Sequence, residues 1–411
     1  MITITPVASE FLPAESRDRL VAAFADRWRR AGIDHHLAPA GQPVPPGDLP
    51  VLLVLTGGTE RAALSVVEAA LTADARLPTV LLAHPSQNSF PACLEILARL
   101  QQQGRRGEIV FLDEGESGDR ALQQIAGAVA ARARLAGRRL GCVGVPSDWL
   151  VASLPTAAAV ADAWGVDLVP VELAEVLDAV RDVPAAETAP LITDLVGAAD
   201  AVVEPAPADL QDAAAVLVAL RAVFARHDLH ACTLRCFDLV TRLRTTGCYA
   251  LSQLNDQGLI AGCEGDVPST LTMMWLHALT GEVPFMANPQ QIDVPGGRLW
   301  ISHCTIGRSL LDGYRVRSHF ESGLGVAIEG RVTPQPVTIA RVGGAEVRQA
   351  FFADGHIVAG GHSPDRCRTQ LELTVEADLG RLLRRPLGNH HVMVRGHWAE
   401  PLETYRRLFL E

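Results

Sequence analysis

A repeating unit of short apolar run, turn and amphipathic helix fills the first two thirds of the chain, and it constrains the fold more than any other feature. VLLVLTGG (51–58) reads as a buried strand entering a glycine turn, and TERAALSVVEAAL follows with helical spacing. TVLLAHPSQNS (79–89), the helical FPACLEILARLQQQG and EIVFLD (108–113) repeat the unit. Strand, turn and helix in succession are the pattern of a parallel α/β domain. A second series begins at RRLGCVGVPSDWL (138–150) and continues through VDLVPVEL, a helical stretch at 209–228, HACTLRCF, the helix-like CYALSQLND and LIAGCEGD.

After about residue 285 the pattern changes. WISHCTI, GVAIEGRV, VTIARVGG, EVRQAFFADG and HHVMVRGHW are short, β-rich and separated by glycine or proline turns. Period-2 runs joined by tight turns argue for an antiparallel sheet or barrel. PLETYRRLFLE closes the chain as a short amphipathic helix. The reading is therefore an α/β protein in three parts: 1–137 and 138–285 as parallel α/β domains and 286–411 as an antiparallel β-barrel-like domain. A chain of 411 residues is too long for one ordinary core, which agrees with that division.

Composition narrows the chemistry. All 36 basic residues are arginine, so no amine side chain is present for a Schiff base, a pyridoxal-phosphate anchor or a Walker-type phosphate loop. The net charge of −11, with scattered basic residues, argues against nucleic-acid or anionic-membrane partners. Eight cysteines lack zinc-like pairing and read as reduced, mostly buried thiols. No apolar run reaches membrane-spanning length, and MITITPVASEF lacks the basic start of a signal peptide; the expected location is cytoplasmic.

The stretch GCEGDVPSTLTMM (262–274) carries the first candidate site. LIAG reads as a buried strand and PSTLTMMWLHAL as a helix with proline in its first turn, so Glu264 falls at the carboxyl end of a strand, where open α/β sheets bind ligands. Asp266 is most simply the helix cap or a first-turn acid. Further candidates are Asn288 in the loop PFMANP, His303 in the strand WISHCTI, and the pair His390 and His391 in GNHHVMV. Adjacent residues on a strand point to opposite faces, so only one of that pair can face a given pocket. Asp238, His319 and Glu321 read as solvated polar residues.

CEGDVPSTLTM, LTGEVPFMAN, SHC and GNHHVMV, in this order, resemble the L-fucose and L-arabinose isomerase family; VLTGGTE, HPSQNS and GVPSDWL fit its shorter, roughly 400-residue members. The resemblance implies two Rossmann-like domains followed by a barrel-like domain. It also implies a divalent metal, manganese first with cobalt or magnesium as substitutes, and aldose–ketose interconversion through an enediol on an open-chain sugar. Glu264 matches a metal-binding glutamate that moves protons, and Asn288 the position of a second metal-binding carboxylate. His303 and one of His390 and His391 match metal-binding histidines. The asparagine brings no charge and carries no proton, so Asp266 is the expected stand-in as second proton carrier. Trp149 and Trp398 are candidate stacking faces for the sugar, against core packing as the alternative. The family also implies a homo-oligomer whose sites lie near subunit interfaces and are completed by a neighbouring chain, here through His84 or Asn88 of HPSQNS. Single-base proton abstraction, as in an epimerase, a decarboxylase or a carbon–carbon lyase, and a non-catalytic sugar-binding homologue are the alternatives that Asn288 raises.

Overall fold

The computed structural model describes residues 1–411, with every side chain except that of Ala73. By its internal contacts the chain divides into two units, Met1–Ala133 with Pro401–Glu411, and Arg134–Glu400.

The first unit is built on a parallel sheet in the order His35–Leu37, Ile2–Val7, Val51–Val54, Thr79–Ala83, Gly107–Phe111. The runs VLLV and TVLLA are buried along their whole length, as strands covered on both faces must be. The closing helix, Ala399–Phe409, buries Leu402, Tyr405, Leu408 and Phe409. Arg132 lies over the Phe409 ring, and Arg106 donates to the Arg407 carbonyl at 2.7 Å. The segment Pro401–Glu411 thus belongs to the first unit rather than to the barrel before it.

The second unit holds another parallel sheet, in the order Ile260–Cys263, Ala231–Leu234, Arg139–Val143, Asp167–Val171. Pro170 is tolerated because its strand lies at the sheet's edge. The same unit contains a closed antiparallel barrel of six strands, running round as Phe285–Asp293, Arg298–His303, Thr369–Val375, Gln349–Gly360, Pro336–Gly343 and His391–Arg395. The α/β class with a barrel-like end is therefore the observed fold.

Two details depart from the sequence reading. PFMANP is not a loop: Asn288 sits in a barrel strand, and the register shifts between Pro289 and Gln291, a bulge that absorbs the missing proline N–H. GVAIEGRV is not a barrel strand either. Ala327–Arg331 joins Gly313–Arg317 and Ala201–Val202 in a separate three-stranded sheet.

The helix Val267–Thr280 positions the site. It is buried almost throughout and packs on Ile260–Cys263 and Ala231–Leu234, and also on the barrel strands Pro336–Gly343 and His391–Arg395. Thr272 accepts the Val342 backbone N–H at 2.9 Å, fixing helix to barrel. The first turn of this helix therefore meets one rim of the barrel. No helix among the described residues is long and apolar enough to cross a membrane.

Candidate metal centre

Glu264 stands on the turn between the strand Ile260–Cys263 and that helix. Its backbone is left-handed, φ 63°, a region that costs a non-glycine residue free energy and persists only where neighbours enforce it. The enforcement is visible: Ser147 N–H donates to the Glu264 carbonyl at 2.9 Å, Gly265 N–H to Leu234 at 3.1 Å, and Asp266 N–H to Cys263 at 3.1 Å. Gly265 is also left-handed, and a β-carbon there would lie 2.6 Å from Pro146 Cα, so only glycine fits.

The turn presents the Glu264 carboxylate to a cavity also lined by His303, Asn288, His319 and Glu321. Trp149 Nε1 donates to Glu264 Oε2 at 2.6 Å, and His390 Nε2 lies 3.5 Å from Oε1. One donor atom from each of Glu264, His303 and His390 falls within 4.8 Å of the others, and all three residues are buried. The two imidazoles meet edge to face with centroids 5.6 Å apart.

Each histidine is held from behind. His303 Nδ1 pairs with the Thr305 hydroxyl at 2.8 Å. His390 Nδ1 pairs with Asp266 Oδ2 at 2.9 Å. Asp266 caps the helix, accepting from Ser269 N–H at 2.9 Å, and it forms a fully buried ion pair with Arg341 at 2.9 Å. Arg341 also donates to the Ser269 hydroxyl, and to the Ser153 hydroxyl at 2.8 Å. A carboxylate behind a histidine fixes its ring and makes it a better ligand.

The electrostatics follow from this packing. Burial alone would raise Asp266, yet Arg341 and His390 outweigh it and hold the carboxyl far below its usual range. Burial would lower His390, but its contacts with Asp266 and Glu264 push it up to about 9. Burial and the charge of His390 push His303 down to about 4. Glu264 is raised by burial and lowered more by His390 and Trp149, so it stays ionised.

The sequence candidates sort as follows. Glu264, His303 and His390 come together with Asn288 beside them on the cavity wall. His391 faces the other way: its ring meets Phe351 at 5.8 Å and it lines a different groove with Pro289 and Leu382. Asp266 lies behind His390, with no exposed surface and no part in the cavity lining, so its carboxylate orients the His390 ring rather than facing the cavity. Trp149 is half exposed and holds Glu264. Trp398 donates its indole N–H to the Arg395 carbonyl at 2.7 Å, past the opposite end of the strand His391–Arg395 from His390. In the first unit, His84 is buried with its ring between the Leu55 carbonyl and the Ser86 hydroxyl, while Asn88 is exposed beside Gly57 and Gln87.

Sequence reasoning missed two features. His319, 9% exposed, lines the cavity rather than solvent, and only its packing on Phe237 reveals it; Glu321 is exposed, as read from the sequence, and also borders the cavity. Asp238 instead pairs with Arg235 at 3.0 Å, outside the cavity. Five of the scattered cysteines, Cys236, Cys248, Cys263, Cys304 and Cys367, line the same cavity, with Cys236 and Cys263 sulfurs 3.1 Å apart. Their spacing carries no signal because each comes from a different element.

No protein-family model matches the chain. Similarity to curated proteins is confined to a segment. A sulfoquinovose isomerase of Alkalicoccus urumqiensis is 28% identical over 131 residues, 30% of this chain and 30% of that protein. Sulfoquinovose isomerases of Priestia aryabhattai and Priestia megaterium are each 28% identical over 121 residues, 28% of this chain and 27% of theirs. The chain is thus similar, over less than a third of their length, to proteins named as sulfoquinovose isomerases.

Proposed function

We propose that the chain is a divalent-metal-dependent sugar isomerase that interconverts an aldose and a ketose through an enediol. The observation that carries this reading is the buried Glu264, His303 and His390 cluster, in which His390 Nε2 makes no hydrogen bond while Nδ1 is anchored to Asp266. An orphaned, oriented imidazole nitrogen beside a carboxylate fits a metal ligand. Glu264, His303 and His390 would hold the cation, with the Asn288 carbonyl as a neutral fourth donor; manganese suits this mixed oxygen and nitrogen set, with cobalt as a substitute. Such a cation polarises the sugar carbonyl and acidifies the adjacent C–H. The similarity to sulfoquinovose isomerases supports the same class of reaction.

The protein's own groups carry the proton. Glu264, ionised and oriented by Trp149, is the base that takes the hydrogen from the carbon next to the carbonyl. Asp266 is spent on His390 and Arg341, so a second proton carrier comes from elsewhere in the cavity lining, which includes His319 and Glu321. His319→Asn and Glu321→Gln separate the two: the carrier's loss lowers kcat, while a sugar-binding group's loss raises KM.

Incubation of Mn2+-loaded protein with a panel of aldoses, sulfoquinovose included, tests the reading by ketose formation. A specific observation keeps a second reading open to the same assay. Asn288, which lines the cavity, offers no proton carrier where the family resemblance implies a carboxylate, and this favours a one-base reaction such as epimerisation. Epimer without ketose would select that reading.

A further inference from the structure

We propose that His356, Glu376 and His397 form a second, peripheral metal site that takes a borderline divalent cation such as Zn2+ or Ni2+. His356 comes from the barrel strand Gln349–Gly360, Glu376 follows the strand Thr369–Val375, and His397 follows the strand His391–Arg395. Register brings them to one rim. His356 pairs with Thr374 and Gly355 with Val375, Glu376 N–H donates to the Asp354 carbonyl at 2.8 Å, and His397 Nε2 contacts the Gly355 carbonyl at 3.2 Å. Their donor atoms all lie within 4.8 Å of one another, and the His356 and His397 rings stand edge to face at 5.0 Å.

Three further points favour a cation. Among the described residues, neither the His356 ring nor the Glu376 carboxylate has a hydrogen bond or ion pair, so both donors are unspent at a surface where arginines are common. With His397 Nε2 donating to the Gly355 carbonyl, Nδ1 carries the lone pair that a metal needs, and the ring is oriented by backbone. Two imidazoles and one carboxylate suit zinc, nickel or copper better than magnesium or calcium, which prefer all-oxygen sets.

The rim is the far one from Glu264. Strand His391–Arg395 lies between His390 and His397, and at about 3.3 Å per residue it separates the two ends by on the order of 15 Å. The far cation would link two neighbouring barrel strands to the segment that leads into the last helix. Its effect is on the stability of that rim and not on sugar chemistry.

The test uses full-length, chelator-stripped protein and Zn2+ alone as probe, followed by titration calorimetry and thermal unfolding. His397→Ala and Glu376→Gln are each compared with wild type, because the difference is informative whatever the near-end cluster binds. The expected result is one fewer Zn2+ per chain, or a weakening of one site by at least the roughly tenfold that even an outer partner of a metal ligand is worth. The zinc-induced rise in melting temperature should shrink with it. Melting of the metal-free variants reports their folding, and Glu376→Gln serves if His397→Ala melts early. Unchanged zinc stoichiometry and affinity in both variants would overturn the proposal, as would a zinc-induced stabilisation that survives in both.

Discussion

The two rims of the barrel carry the same three donors, two histidines and a glutamate, and differ in nearly everything around them. At the near rim Glu264, His303 and His390 are buried, and Asp266 with Arg341 stands fully buried behind His390. At the far rim His356, Glu376 and His397 are open to solvent, and a single backbone carbonyl orients one ring. The donor set therefore does not distinguish a reactive centre from a structural clip. Water exclusion and the groups behind the ligands do. A buried carboxylate keeps a full charge beside a cavity, whereas a solvated one is screened.

The largest effect should come from Glu264→Gln. If Glu264 is the base, turnover falls by at least the roughly 10²–10⁴ that a general base contributes, and manganese affinity falls with the lost charge. The matching far-rim change, Glu376→Gln, should leave turnover within about twofold of wild type, since nothing there faces the cavity. Steady-state assays of the two variants side by side check the pair, and equal losses would erase the distinction between the rims.

Next is Asp266→Asn. The side chain still caps the helix, but Arg341 is left buried without its counter-charge, which costs about 3–5 kcal/mol when one partner of a buried pair is removed. The protons go with the sign of the shift. Asp266 is held far below its usual range, so its contribution is present above the ordinary aspartate value and is lost as pH falls through the depressed one. Urea unfolding at neutral pH should show the loss directly. Manganese affinity should drop by about 10–100-fold because His390 loses the group that orients it. Adding Arg341→Met should restore part of the stability and none of the affinity.

How much of this was legible in the chain depends on which interactions are local. Glu264 and the Asp266 cap were readable because an apolar run, a glycine turn and a first-turn proline lie within a dozen residues. The alternating arrangement of two parallel sheets and a barrel was readable for the same reason. His390 against His391 was not, because their faces are set by pairing with strands a hundred residues away. Asn288 looked like a loop residue because Pro289 hides a bulged strand. His319, Glu321 and the five thiols face the cavity only through tertiary packing. The far-rim set has no spacing motif at all, since its members follow three different strands.

A smaller effect is expected from Trp149→Phe. It removes the 2.6 Å hydrogen bond to Glu264 but leaves an aromatic ring against Phe237. Hydrogen bonds to charged groups are worth about 1.5–3 kcal/mol, and the half-exposed indole puts this one at the lower end, about a tenfold loss in kcat with little change in stability. A change larger than that for Glu264→Gln would mean that the indole, not the carboxylate, governs the site. The smallest effect belongs to His397→Ala. It should leave turnover unchanged and remove only a zinc-dependent gain in melting temperature, a gain that grows with the logarithm of zinc concentration above the dissociation constant.

The account rests on the near rim being where a proton leaves carbon, and deuterium exchange reads that event without assuming the product. Mn2+-loaded wild type in D2O should place deuterium at C1 of the ketose it forms and, by the reverse reaction, at C2 of the aldose, while Glu264→Gln, still folded and still binding sugar, should place none. Exchange that persists in Glu264→Gln would contradict the assignment of the base. Absence of both exchange and ketose in wild type on every aldose and ketose offered, with metal bound, would contradict the isomerase itself and leave a sugar-binding protein in its place.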